Sequence, residues 1–184
     1  MTGVQTCALP ISTIHAGDIF QTNLCRRLEG AFSHEGAEPL FARLCEVNPA
    51  RYAAFVRIDD QRAVLSMSPE LYLKVRDGIV ESAPIKGTRP RGALPELDRA
   101  LAEGLLASKK DRAELAMIVD VVRNDLGRVA KTGSVTVTEH AQLMTLPTVH
   151  HSYSTVRAQL REDATSVDLL RASFPPASIS GAPK

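Results

Sequence analysis

Tryptophan is absent from this 184-residue chain, and aromatic residues of all kinds make up only 4% of it. A core built from such a sequence is mostly aliphatic, with few rings to stack. An excess of one charge is missing too: 22 Lys and Arg stand against 21 Asp and Glu, a formal net charge of +1. That balance argues for neither a nucleic-acid partner nor a membrane surface. No apolar run approaches the roughly 20 residues needed to span a bilayer. The N-terminus has no basic n-region and too short an apolar stretch for a secretory signal. Cysteine is scarce, and Cys7, Cys25 and Cys45 show no short-spaced metal pattern. They read as free thiols and small buried hydrophobes in a reducing, cytoplasmic setting. What is present is 44% apolar and 23% charged residues, the composition of a globular chain long enough to bury one core.

Met1 to Ile11 resembles the translation of a common short-read sequencing adapter, with its first GTG read as a start codon. Residues 1–12 are therefore expected to be an artefact and are set aside, which also removes Cys7. The authentic sequence is expected to run from 13 to 184.

Hydrophobic periodicity lays out the rest. Residues 13–18 read as the end of a helix stopping at Gly17-Asp18, Ile19 to Leu28 as a strand, and Gly36 to Pro39 as a loop. Leu40, Phe41, Leu44 and Val47 recur at helical spacing. Two hairpins follow: Tyr52–Ile58 with Ala63–Met67, and Leu71–Val75 with Ile79–Ser82, the second turning at Asp77-Gly78. Gly87 to Pro95 is rich in Gly, Pro and Arg and reads as an exposed loop. Helices are predicted over Leu97–Ser108 and Asp111–Leu126, the latter with Leu115, Ile118, Val119, Val122 and Leu126 on one stripe and Gly127 as its cap. Strands are predicted at Val135–Thr138 and His150–Leu160, a short helix at Val167–Phe174, and a small-residue turn from Ser178 to Lys184. Hairpins clustered ahead of helices indicate an α+β fold, an antiparallel sheet with flanking helices.

Pro84-Ile85-Lys86-Gly87-Thr88-Arg89-Pro90 carries the most chemical information. A lysine between a proline and a Gly-Thr pair, where backbone can approach a ligand closely, can be partly desolvated and its amine freed as a nucleophile. A solvated surface lysine is the plainer alternative. Glu70, in Ser68-Pro69-Glu70, is either a turn carboxylate or an acid. Asp111 and Glu114 share a face at the start of the long helix. Glu114 is either a solvated or capping carboxylate or a ligand for a hard cation. Arg123 and Asp125 read as structural ion-pair residues. Neighbours in a strand face opposite ways, so only one of His150 and His151 can face a given cleft, as a general acid or base.

Together these blocks resemble the chorismate-binding enzyme family over about residues 14–184. They agree with it in order and spacing through Gly17–Leu24, Ser68–Glu70, Pro84–Arg91, Lys110–Glu114, Met117–Asp120, Arg123–Val129, Gly133–Val135, Val149–His151 and Ser178–Lys184. Lys86 is similar to the lysine of the subgroup that aminates chorismate to 4-amino-4-deoxychorismate on the route to folate and para-aminobenzoate. The branch that makes anthranilate usually has a small residue there. The resemblance implies that Glu70 protonates the departing C4 hydroxyl, that Lys86 attacks C2 of the ring, and that His151 is the active-site histidine. It makes Gly87, Thr88 and Ser178 substrate contacts and Glu114 a ligand of Mg²⁺. It implies ammonia from a glutamine amidotransferase subunit. The chain departs from the family pattern at Leu115, Ser152-Tyr153, Ala177 and Ser180, none of them one of these residues.

The family pattern continues beyond Gly181-Ala182-Pro183-Lys184 with further metal- and carboxylate-binding blocks, so these residues are expected to be the N-terminal to middle part of a catalytic domain. Alternatives are an anthranilate-forming enzyme that happens to carry Lys86, and a non-catalytic module that binds an amidotransferase. A part of a catalytic domain should lack half its metal site and expose apolar faces and strand edges. The 184-residue chain alone is expected to give no turnover of chorismate and to aggregate. Robust turnover by the purified chain would falsify this.

Overall fold

Strand β7 (Val149–Gln159) organises the chain. Its even-numbered residues from His150 to Ala158 are buried, while all its odd-numbered ones except Thr155 are at least partly open. The computed structural model describes residues 5–19, 26–31 and 36–180, with side chains from residue 11 onward. In chain order the elements are α1 (Gln5–Ala16), α2 (Ala37–Val47), β1 (Tyr52–Arg57), β2 (Ala63–Ser68), β3 (Leu71–Arg76), β4 (Ile79–Ala83) and β5 (Ile85–Pro90). Then come α3 (Pro95–Ala107), α4 (Lys109–Gly127), β6 (Thr136–Thr145), β7, α5 (Ser166–Ser173) and α6 (Ala177–Ser180). β1 and β2 form a separate antiparallel hairpin. The other strands form one antiparallel sheet in the order β3-β4-β7-β5, with β6 also paired to β7. The α+β fold read from the sequence is the one observed.

One edge of β7 is shared by two strands. β4 pairs with residues 156–159 and β5 with residues 149–153. Between them Pro84, which has no N–H to offer, still accepts a hydrogen bond from Ser154 N at 3.1 Å. β4 and β5 are thus one line of pairing interrupted at a proline. β6 runs along the opposite edge from Thr136↔Arg157 to Thr145↔His150.

The buried face of β7 packs on the stripe of α4. Leu115, Val119 and Leu126 meet Val80, Val156, Ala158, Leu160 and Leu169 in one apolar cluster. Burying each leucine contributes roughly 1.5–3 kcal/mol. The helix ends follow from their caps. Ser108 Oγ accepts from Asp111 N at the start of α4, and Thr165 with Asp168 makes a capping box on α5. The β3–β4 turn has φ 52° at Asp77 and 74° at Gly78, the two positive values that a tight two-residue hairpin turn requires.

Several sequence expectations are corrected. Gly36 to Pro39 is not a loop: α2 begins at Ala37, and Pro39 is accommodated in its first turn, where N–H groups have no helical partner. Gly87 to Pro90 is not an exposed loop but most of β5, since hydrogen bonds to β7 override its turn-like composition. β6 extends seven residues past the predicted Thr138, to Thr145. Its register shifts near Ala141, which has φ 51°, and break the alternation that sequence reading relies on. Gly127 is the last residue of α4 rather than a left-handed cap. Arg128, in the right-handed region, takes the capping position. The strand expected over Ile19–Leu28 and the turn from Ser178 to Lys184 fall partly outside the described residues, as does Cys25. In the described parts, residues 26–28 form no regular element and Ser178–Ser180 lies in α6. Cys45 is a free, half-buried thiol. α1 crosses the stretch read as adapter-like, and its Ile11 and Ile14 are exposed. No helix among the described residues is long and apolar enough to cross a membrane.

Leu115 is fully buried against β7. Replacing it with alanine should cost about 2–5 kcal/mol, whereas the exposed Val56→Ala should cost under about 0.5 kcal/mol. Equal midpoints for the two variants in urea unfolding would place the core elsewhere.

Candidate active site

Gly87 explains why β5 can lie where it does. It has φ 87°, and a Cβ added there would lie 2.8 Å from Leu105 Cδ1 and 3.0 Å from Asp111 Cβ. Only a residue without a side chain lets the strand press onto α3 and α4 at this point. The position also breaks the register between Ile85 and Thr88, so that Thr88 pairs with His151. Arg89 then ties the strand to the start of α4, its Nη2 donating to Asp111 Oδ2 at 2.7 Å. Asp111 is held ionised, below the usual carboxylate value, by the Ser108 hydroxyl and then by Arg89.

Around this strand the fold collects the residues singled out in the sequence. Glu70 lies in the connection between β2 and β3, its N–H donating to Ser68 Oγ at 3.2 Å. Its Oε1 accepts from Ile85 N at 3.0 Å, which aims the carboxylate at the head of β5. Lys86 is half-buried, and its Nζ donates to the backbone oxygen of Ser178 at 3.2 Å. His151 Nδ1 is 2.9 Å from Thr88 Oγ1. Burial lowers the His151 pKa, opposed by a hydrogen bond to the Gly87 backbone and by the charge of Glu70. Thr88 and His151 thus meet across β5 and β7, and His151 lines a hollow with Met67, Pro69 and Leu146, separate from the cleft that Glu70 and Ser178 line. A cleft of about 550 Å³, counting the solvent at its mouth, is lined by Glu70, Pro84, Tyr72, Asp125 and Ser178 among others. Tyr72 donates its hydroxyl proton to Ser173 Oγ at 2.8 Å, since that serine donates in turn to Leu169 O. The bond joins β3 to α5 across the cleft.

Glu114 stands one turn along α4 from Asp111, half-exposed, with Lys110 Nζ 3.8 Å from its carboxylate. It offers one hard oxygen ligand of the kind Mg²⁺ takes. Among the described residues no group of three His, Cys, Asp or Glu side chains could hold a metal ion. Arg123 and Asp125 are both in ion pairs, with Asp120 and Arg128 as partners. His150 faces the side of β7 opposite His151 and is buried, its Nε2 2.9 Å from Asp98 Oδ1. Sequence reasoning left out Arg89, Arg91 and Asp98 because their partners are 22, 7 and 52 positions away. The arginines clustered after Gly87 were the available signal.

Residues 5–184 match the family described as chorismate binding enzyme. The chain belongs to that family. It is 48% identical over 172 residues to aminodeoxychorismate synthase component 1 of Salmonella typhimurium, covering 93% of this chain and 37% of that protein. It is 40% identical over 171 residues to anthranilate synthase component 1 of Aquifex aeolicus, covering 93% of this chain and 34% of that protein. The crystal structure of anthranilate synthase component I from Streptococcus pneumoniae superimposes with a TM-score of 0.79 at 33% identity, covering 96% of this chain and 38% of that one. The chain thus spans little more than a third of the length of these relatives.

Gly87→Ala should destabilise the protein by about 1–3 kcal/mol, because the new methyl group meets Leu105 and Asp111 and strains a positive φ. Gly104→Ala, a helical position with open space around it, should be neutral or stabilising by up to about 1 kcal/mol. Thermal unfolding of the two variants checks the contrast.

Proposed function

We propose that these residues belong to an enzyme that aminates chorismate to 4-amino-4-deoxychorismate. The observation that carries this reading is Lys86, held on β5 beside the strand residue that Glu70 accepts from, with His151 on the neighbouring strand. Displacing a ring hydroxyl needs an acid at the leaving group and a nucleophile at a conjugated carbon. Glu70 gives its proton to the C4 hydroxyl, which leaves as water. The unprotonated Lys86 amine bonds to C2 as the ring double bonds shift. Ammonia then bonds to C4, the double bonds shift back, and the C2–N bond to Lys86 breaks. One hard substitution becomes two easier ones. His151 moves protons at the ring face, and Gly87, Thr88 and Ser178 contact the substrate.

Glu114 would be one ligand for Mg²⁺, whose charge would offset a substrate carboxylate. Among the described residues no group of three such side chains completes a site around it. The greater identity to an aminodeoxychorismate synthase component 1 than to an anthranilate synthase component 1 supports the assignment. The "component 1" of that relative's name supports a second component; in this reading it is a glutamine amidotransferase that delivers ammonia, and the complex is cytoplasmic. The second reading is an anthranilate-forming enzyme, favoured by the structural match to anthranilate synthase component I.

The test is to express the coding sequence that contains these residues at its full extent, supply chorismate, Mg²⁺ and ammonia, and read the products by mass. Aminodeoxychorismate without anthranilate is expected. Glu70→Gln should lower its rate by about 10²–10⁴-fold. Lys86→Ala should abolish any protein–substrate adduct seen by mass spectrometry. Anthranilate formed at the same rate by the wild type and by Lys86→Ala would move the chain to the other branch.

A further inference from the structure

His150 and three residues around it form a clamp that the chemistry above does not use. His150 is 3% exposed. Its Nε2 lies 2.9 Å from Asp98 Oδ1, and its Nδ1 lies 3.0 Å from Thr145 Oγ1. Asp98 is in the first turn of α3. It takes two hydrogen bonds from Arg91, Nε to Oδ1 and Nη2 to Oδ2, both at 2.8 Å, and a third from Gly92 N at 2.8 Å. The remaining Arg91 nitrogen, Nη1, donates to Leu146 O at 3.0 Å. The Arg91 guanidinium first, then the Gly92 amide, hold the Asp98 carboxyl well below the usual carboxylate range. An ionised Asp98 only accepts, so His150 Nε2 donates to it.

The cluster joins four pieces of chain at one end of the sheet: the segment after β5, the start of α3, the end of β6 and the start of β7. Gly92 makes the approach possible, because a Cβ there would lie 2.3 Å from Asp98 N. In register terms the cluster pins Arg89↔His150 and Thr145↔His150, one step from Thr88↔His151 and Met144↔His151. A slip of one residue in a strand reverses every side chain, so whatever fixes His150 on the helix side fixes His151 on the other.

We propose that the Arg91–Asp98–His150–Thr145 cluster is a positioning unit that holds His151 against Thr88. His150 does not act on substrate. It acts through the strand and through hydrogen bonds on the face opposite the reacting groups. This rests on reading His151 as the acid–base group. Among the described residues, His151 has Thr88 and Gly87 of β5 on one side and Met144 of β6 on the other, with Asn48, Pro49, Met67 and Pro69 around the same hollow; Glu70, whose charge acts on it, is the titratable group near it.

The experiment follows the imidazole titration of His151 by NMR. It uses the protein expressed at the full extent of its coding sequence, with labelled histidine rings and His151 assigned through His151→Asn. In the wild type the midpoint should lie below the ordinary value of about 6.5, because burial disfavours the cation. His150→Leu, which keeps bulk but no hydrogen bond, should free the strand end, expose His151 and raise its midpoint toward that value. His150→Gln, whose amide can still donate to Asp98, should leave the midpoint where it was. An unchanged midpoint in a folded Leu variant overturns the proposal. So does an equal rise in the Leu and Gln variants, which would mean that the hydrogen bond to Asp98 does not hold the strand end. If His150→Leu does not fold, Thr145→Val removes a single hydroxyl and carries the test. A rise is expected there, and no rise overturns the proposal. The titration is read whichever product the enzyme makes, so failure to form aminodeoxychorismate would sink the proposed reaction and leave this result standing.

Discussion

Everything at the candidate site depends on one strand being paired along both edges. β7 takes β6 on one side and the broken line β4-Pro84-β5 on the other. A strand so placed has its backbone groups committed, and its side chains divide by parity between two faces. Val156 and Ala158 go to the core with α4, whereas His151 and Tyr153 go to the other side. The site is an outcome of that division. His151 can meet Thr88 only because the register across β5 and β7 puts them opposite each other, and that register survives because the even face of β7 is buried.

Pro84 and Gly87 then shape the short edge strand. Pro84 ends the pairing of β4 without ending the line, because its carbonyl still serves Ser154. Three residues on, Gly87 shifts the register and lets the backbone touch Leu105 and Asp111. Lys86 sits between these two irregularities. A regular strand would send Lys86 and Thr88 to the same face by alternation. With the shift, Lys86 reaches Ser178 on α6 while Thr88 faces His151 on β7. Gly87, which opened the stretch read as a loop, together with Pro84 before it, is what distributes these side chains around the site.

Helices α3 to α5 and both hairpins were legible because their signals are local, such as the stripe from Leu115 to Leu126 and the Asp77-Gly78 turn. β5 was not, since nothing local in a Gly-Thr-Arg-Pro run indicates that a strand 60 residues later will pair with it. β6 was read too short because the shifts near Ala141 destroy the alternation while Ser154, fully buried, accepts from the Ala141 N–H at 3.1 Å and stabilises the irregular path. The candidate residues themselves were named from motif order. Their supports, Arg89–Asp111 and Arg91–Asp98–His150, were not, because each is an ion pair or hydrogen bond across elements.

The two ion-pair systems divide the labour of holding β5. Arg89 binds Asp111 at the start of α4, and Arg91, just past the strand's end, binds Asp98 at the start of α3. Each carboxylate sits in the first turn of its helix, where the free N–H groups favour negative charge. The strand is therefore fastened at its C-terminal end to two helix starts, while its N-terminal end is fastened by Ile85 N to Glu70. Lys86 lies next to the one fastening that contains a candidate catalytic group. A displacement of Glu70 would therefore disturb the placement of the lysine, and the reverse, through a single backbone hydrogen bond. If the two act on one ring as proposed, this bond ties their positions together more directly than either helix does.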